Sequence, residues 1–161
     1  MRAALASALL LLAAAQPALA APAVSTVKVS IGPALADQVD EIGQRDLDIL
    51  TAELRRTVEK RISPSPDGGV LTLVIDDARP NRPTPQQLMT TQGLSMSSFG
   101  IGGARISGDY LDPAGNRTPI AYSWYETDIR WAPYSSTWHD AEAAFDRLAV
   151  RLARDQFDEK R

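Results

Sequence analysis

The chain has 161 residues, no cysteine, and 17 basic against 20 acidic side chains. That length suits one ordinary domain with a core of its own. The acidic balance excludes electrostatic capture of nucleic acid, which needs clustered Lys and Arg, and the lack of cysteine excludes disulfides and thiolate metal sites.

Arg2 precedes an uncharged Ala/Leu run from Ala3 to Ala15. Gln16 and Pro17 then break any helix, and Ala18-Leu19-Ala20 supplies a small-x-small cleavage pattern. This order predicts a secretory signal peptide over residues 1–20, cut after Ala20, and a single α/β domain over residues 21–161. The apolar run falls short of the roughly 20 residues that a membrane span needs, and no later segment spans either. A bacterial lipoprotein carries Cys directly after the cut; Ala21 stands there, so no lipid anchor is expected. A cysteine-free, alanine-rich exported chain fits a bacterial periplasm.

Ser25 to Ile31 alternates with period two, which predicts a strand with Val27, Val29 and Ile31 on its buried face. Gly32-Pro33 ends it, and Ala34 to Arg45 reads as a loop with one helical turn at most. Asp46 is placed to cap a helix in which Leu47, Leu50, Leu54, Val58 and Ile62 recur at helical spacing. The Pro- and Gly-rich stretch Ser63 to Gly69 stops that helix. Val70 to Ile75 is short, branched and apolar, which predicts a central strand covered on both faces, with Asp76 to Arg79 leaving it for solvent. Thr84 and Pro85 are placed as cap and first residue of a short helix.

Ala104, Ile106, Gly108 and Tyr110 alternate with polar residues and predict a third strand. Asp112 to Asn116 is a hairpin turn, and Pro119 to Arg130 is the return strand, with Ile120, Tyr122 and Trp124 on one face. Trp131 to Ser135 reads as a loop. Thr137 then caps a last helix with Ala141, Phe145, Leu148 and Leu152 on its stripe, and Asp140 is placed to close a capping box. The order β-α-β-β-β-α predicts an α+β fold: a two-layer α/β sandwich, with a mixed sheet of about four strands and two amphipathic helices on one face.

Candidate chemistry is sparse. His139 is the only histidine; no HExxH or Cys/His spacing surrounds it, so it reads as a helix-start surface residue ahead of a catalytic base. The serines from Ser95 to Ser98 lack a nucleophile elbow. Gly100 to Gly103 follows a loop and enters a strand, the reverse of a dinucleotide loop, so a bulge or a close backbone approach is expected. Asp76 and Asp77, with Arg79 and Arg82, form either a solvated strand end or a cation or acid–base site. Trp124, Tyr125, Trp131, Tyr134 and Trp138 fall close together along the chain. They either seal the strand-to-helix joint or mark an interface or a glycan contact, and alternation sends Trp124 and Tyr125 to opposite sheet faces.

The strand Thr26 to Ile31, the run Val70 to Asp77, the segment Gly100 to Gly108 and the helix Asp140 to Ala153 together resemble a group of small, uncharacterised exported bacterial proteins. More distantly the chain is similar to periplasmic accessory domains, such as the amino-terminal domain of TolB and the activator lipoproteins of penicillin-binding proteins. The resemblance spans most of the predicted mature chain and implies a non-enzymatic envelope role. The expected function is therefore a non-catalytic periplasmic binding module for an envelope protein or glycan, with no cofactor. The alternatives are a small periplasmic hydrolase or metal-dependent enzyme using His139 with Asp76, Asp77 or Asp140, and a structural envelope protein without a specific ligand.

Overall fold

The computed structural model describes residues 23–62 and 64–156. The predicted signal peptide and the charged end at Asp158, Glu159, Lys160 and Arg161 lie outside the described residues. Strand β1 (Val24–Ile31) leads into two single-turn helices, α1 (Pro33–Ala36) and α2 (Val39–Ile42), and then the long helix α3 (Gln44–Arg61). Strand β2 (Gly69–Arg79), short helix α4 (Pro85–Thr90) and the hairpin of β3 (Gly103–Leu111) and β4 (Arg117–Tyr125) follow. A 3-10 helix (Ile129–Tyr134) and α5 (His139–Leu152) complete the chain.

The sheet order is β1-β2-β3-β4, with β1 parallel to β2 and the other two pairings antiparallel. Both long helices share one face of this sheet. The predicted two-layer α+β sandwich, with its mixed four-stranded sheet, is the architecture found.

Period-two burial sets the sheet's inner face. Leu73, Gly108 and Ile120 lie in one cross-strand row, and Ile75, Ile106 and Tyr122 in the next. Against them α3 packs Leu47, Leu50, Leu54 and Val58, while α5 packs Ala141, Ala144, Phe145, Leu148 and Leu152, all buried. Each fully buried Leu or Phe contributes about 1.5–3 kcal/mol relative to exposure. Gly115 takes φ 90° in the β3–β4 turn, where Asp112 N–H donates to the Asn116 carbonyl at 2.9 Å.

Several local expectations are corrected. The chain enters α3 through Gly43 at φ 96°, so Asp46 sits inside the first turn and is buried rather than acting as the cap. The stretch Ala34 to Arg45 is two helical turns rather than mostly loop. Strand β2 is covered on one face only: Leu71, Leu73 and Ile75 are buried, while Val70, Thr72 and Val74 on the other face are half-buried. It also does not end at Ile75. A bulge between Ile75 and Asp77 absorbs Asp76, and pairing resumes through Asp77, Ala78 and Arg79. The return strand, predicted to Arg130, stops at Tyr125, and the residues that follow turn into the 3-10 helix.

Thr84 is the predicted cap of α4 and closes a box with Gln87. Its hydroxyl also donates to the Ile42 carbonyl at 2.8 Å, pinning α4 against α2. Thr137 does not cap α5. The residue preceding the helix is Trp138, and no side chain caps it.

Candidate functional site

The structure disperses the residues that the sequence groups. Asp76 and Asp77 diverge at the bulge: a Cβ on Gly32 would stand 3.1 Å from Asp76 Oδ1, whereas Asp77 belongs to the uncovered sheet face. There Tyr125 Oη donates to Asp77 Oδ2, Arg79 Nε stands 3.5 Å from the same oxygen, and the Arg79 guanidinium lies 4.7 Å from the Tyr125 ring centre. Gly103 of β3 separates Arg79 from Tyr125 in the register, and a Cβ on it would approach the Tyr125 ring to 2.6 Å. The ring therefore lies across a glycine, with Asp77 and Arg79 on its far side. Burial, followed by the hydrogen bond and charge of Asp77, pushes the Tyr125 phenol up to about 12.

Arg82 has a different task. Its Nε donates to the Ser135 carbonyl at 2.8 Å, Nη1 to the Met96 carbonyl at 3.0 Å, and Nη2 to the Pro133 carbonyl. One guanidinium thus ties the loop after α4 to the 3-10 helix, matching its fork of fixed donors to loop carbonyls.

Of the aromatic group, Trp138 is buried and donates from Nε1 to Asp46 Oδ1 at 2.8 Å, joining the starts of α5 and α3. Trp124 is half-buried on the helix face, with the Arg147 guanidinium 4.3 Å from its ring centre. Tyr125 occupies the opposite face, as alternation requires. Trp131 and Tyr134 of the 3-10 helix remain 66% and 87% exposed. The joint-sealing reading thus fits Trp138, and only Trp131 and Tyr134 are left as open surface.

Those two belong to a larger surface. Met89, Leu94, Met96, Phe99 and Ile101, from α4 and the loop after it, are exposed, as are Ile129, Trp131 and Tyr134. The Arg82 ties hold the two segments together at one end of the sheet. From Pro83 to Ala104 the chain carries no charged side chain. Phe99 and Leu94, with Arg82 and Gln87, line a shallow cleft of about 200 Å³ there.

The acid–base candidates are placed differently. His139 opens α5 with an exposed side chain. The Asp140 carboxylate is buried and accepts from Asn81 Nδ2 at 2.5 Å and from Gly102 N–H at 2.8 Å. Among the described residues no hydrogen bond or ion pair joins His139 to Asp76, Asp77 or Asp140, and no group of three or more His, Cys, Asp or Glu has metal-binding geometry. Also among the described residues, no helix is long and apolar enough to cross a membrane.

No family model and no curated protein matches the chain. Among solved structures it is similar to the rare lipoprotein B from Shewanella oneidensis, at 12% identity and a TM-score of 0.37, over 81% of this chain and 92% of that one.

Sequence reasoning missed two features. Asn81, 1% exposed, bonds Gly100, Thr137 and Asp140 and anchors the loop that presents Phe99 and Ile101. Nothing in its neighbours signals this, because its side-chain partners are distant along the chain. The uncharged stretch Pro83 to Ala104 is legible; an absence of charge over that length in a chain that is otherwise 23% charged is the signal.

Proposed function

We propose that the chain is an exported, non-catalytic accessory module that docks a protein partner of the bacterial envelope through the apolar end of its sheet. The observation that carries this reading is the gathering of exposed Met96, Phe99, Ile101, Trp131 and Tyr134 on two segments pinned together by Arg82. Exposed apolar patches built from aromatic and Met side chains are characteristic of protein interfaces. A lipid surface is a poorer fit. Adsorption to anionic leaflets relies on Lys and Arg, and the one cation on the 3-10 helix, Arg130, is paired with Asp128. The export signal supplies the compartment.

The test is a photo-crosslinking residue at position 131 of the full chain, irradiated in intact envelope. A defined adduct is expected, and the pair Phe99→Ser with Tyr134→Ser should abolish it at unchanged melting temperature. An adduct of equal yield in that variant overturns the proposal. The hydrolase or metal-enzyme reading through His139 has no specific observation in its favour.

A further inference from the structure

Helices α3 and α5 both begin without a side-chain cap. The 2.8 Å bond from the Trp138 indole to Asp46 holds their two starts together. Beside that bond opens a cleft of about 330 Å³. Arg45, Asp46 and Ile49 line it from α3, Glu142 from α5, and Ser136 and Thr137 from the loop before α5. None of these side chains belongs to the apolar docking surface.

The cleft gathers polar groups that the fold leaves unpaired. Asp46 is 6% exposed, and the Trp138 indole N–H donates to its Oδ1 alone. Oδ2 accepts no hydrogen bond from any described residue. No enclosed side-chain oxygen among those residues lacks a partner, so Oδ2 opens on the cleft. Arg45 forms no hydrogen bond or ion pair through its side chain among the described residues, although two carboxylates line the same cleft. The Glu142 side chain forms none either; it feels the charge of Arg56, whose guanidinium is bonded to Glu53. The hydroxyls of Ser136 and Thr137 are likewise without partners there. A nearly buried carboxylate with one oxygen lacking a donor favours a ligand that supplies one.

We propose that this cleft binds a free α-amino acid, with its ammonium on Asp46 Oδ2 and Glu142 and its carboxylate on Arg45. Charge decides the class. A simple anion would face two carboxylates, and a simple amine would leave Arg45 unmatched, whereas a zwitterion forms charge-assisted bonds at both ends. The uncapped helix starts add free N–H groups and positive dipole ends for the ligand carboxylate. Ile49, 43% exposed, and Pro85 supply an apolar wall for an aliphatic side chain. The volume lies near the lower end for small-molecule sites, which suits one amino acid rather than a chain segment.

The experiment titrates the full mature chain with L-leucine, read by NMR at the Trp138 indole N–H and the backbone amides of Arg45 to Leu47. Saturable shifts at millimolar concentration are expected. N-acetyl-leucine, which lacks the ammonium, and isoamylamine, which lacks the carboxylate, should each bind at least about tenfold more weakly. Asp46→Asn keeps an oxygen for the indole and puts an amide nitrogen in place of Oδ2. It should weaken leucine binding at least about tenfold while the indole N–H stays protected from exchange. Arg45→Gln, at an exposed position, should weaken it similarly at unchanged melting temperature. Absence of saturable shifts, equal binding of leucine and either analogue, or undiminished binding in Arg45→Gln overturns the proposal. So does an equal response to D-glucose, which would make the cleft a sugar site.

Discussion

Asn81 and Asp140 clasp each other twice: Asn81 Nδ2 donates to Asp140 Oδ2 at 2.5 Å, and Asp140 N–H donates to Asn81 Oδ1 at 2.9 Å. Both residues are buried, and the clasp joins the loop after β2 to the start of α5. Truncating either partner strands buried polar groups, which costs about 1–3 kcal/mol for each group left unpaired. Asn81→Ala should therefore destabilise the fold by about 3 kcal/mol in urea unfolding. It should also loosen Gly100 to Gly102, seen as faster amide exchange there.

The Trp138–Asp46 bond predicts a second large effect. Trp138→Phe keeps most of the buried ring but leaves Asp46 without its indole donor, at a cost of about 1–3 kcal/mol. A double-mutant cycle with Asp46→Ala should show coupling of about 1 kcal/mol, and additive losses would remove the bond from the account.

Tyr125 gives the alkaline limb of stability. Its phenol rises from 10.0 to about 12, so the native state holds the proton more tightly than the unfolded chain does. The stability this supplies is complete below pH 10 and is lost as the pH climbs through about 12. Tyr125→Phe should flatten that decline. In absorbance titration, Asp77→Asn should move the phenol back toward 10, and burial should keep part of the rise.

The exposed end should respond oppositely to the core. Trp131→Ser and Tyr134→Ser should each alter stability by less than about 0.5 kcal/mol, because both side chains are mostly in water. Trp131 should be the tryptophan most readily quenched by acrylamide and Trp138 the least, as single-tryptophan variants will report.

The elements that bury one face were legible because burial imposes a period on the sequence. Leu47, Leu50, Leu54 and Val58 mark α3, and Ile120, Tyr122 and Trp124 mark β4. Residues whose partners are remote carry no such trace. Asp140 looks like a capping residue locally, yet Asn81 and Gly102 take its carboxylate. The aromatic group looked like one feature because its members are neighbours in sequence. Strand alternation and the turn into α5 send them to the core, to both sheet faces and to the exposed end. Arg82 is the reverse case: it lies close to Asp76 and Asp77 along the chain, and its side chain serves another part of the molecule.

The strand order bears on how such a chain is built. Each strand pairs with the one made just before it, and none is inserted between two already in place. A chain delivered amino end first into another compartment can therefore lay down its sheet in order of arrival. The connections carrying α3 and α4 must wait in the open before β2 closes on β1 and β3 on β2. The hairpin of β3 and β4 comes last, so the outermost strand is the last to be paired.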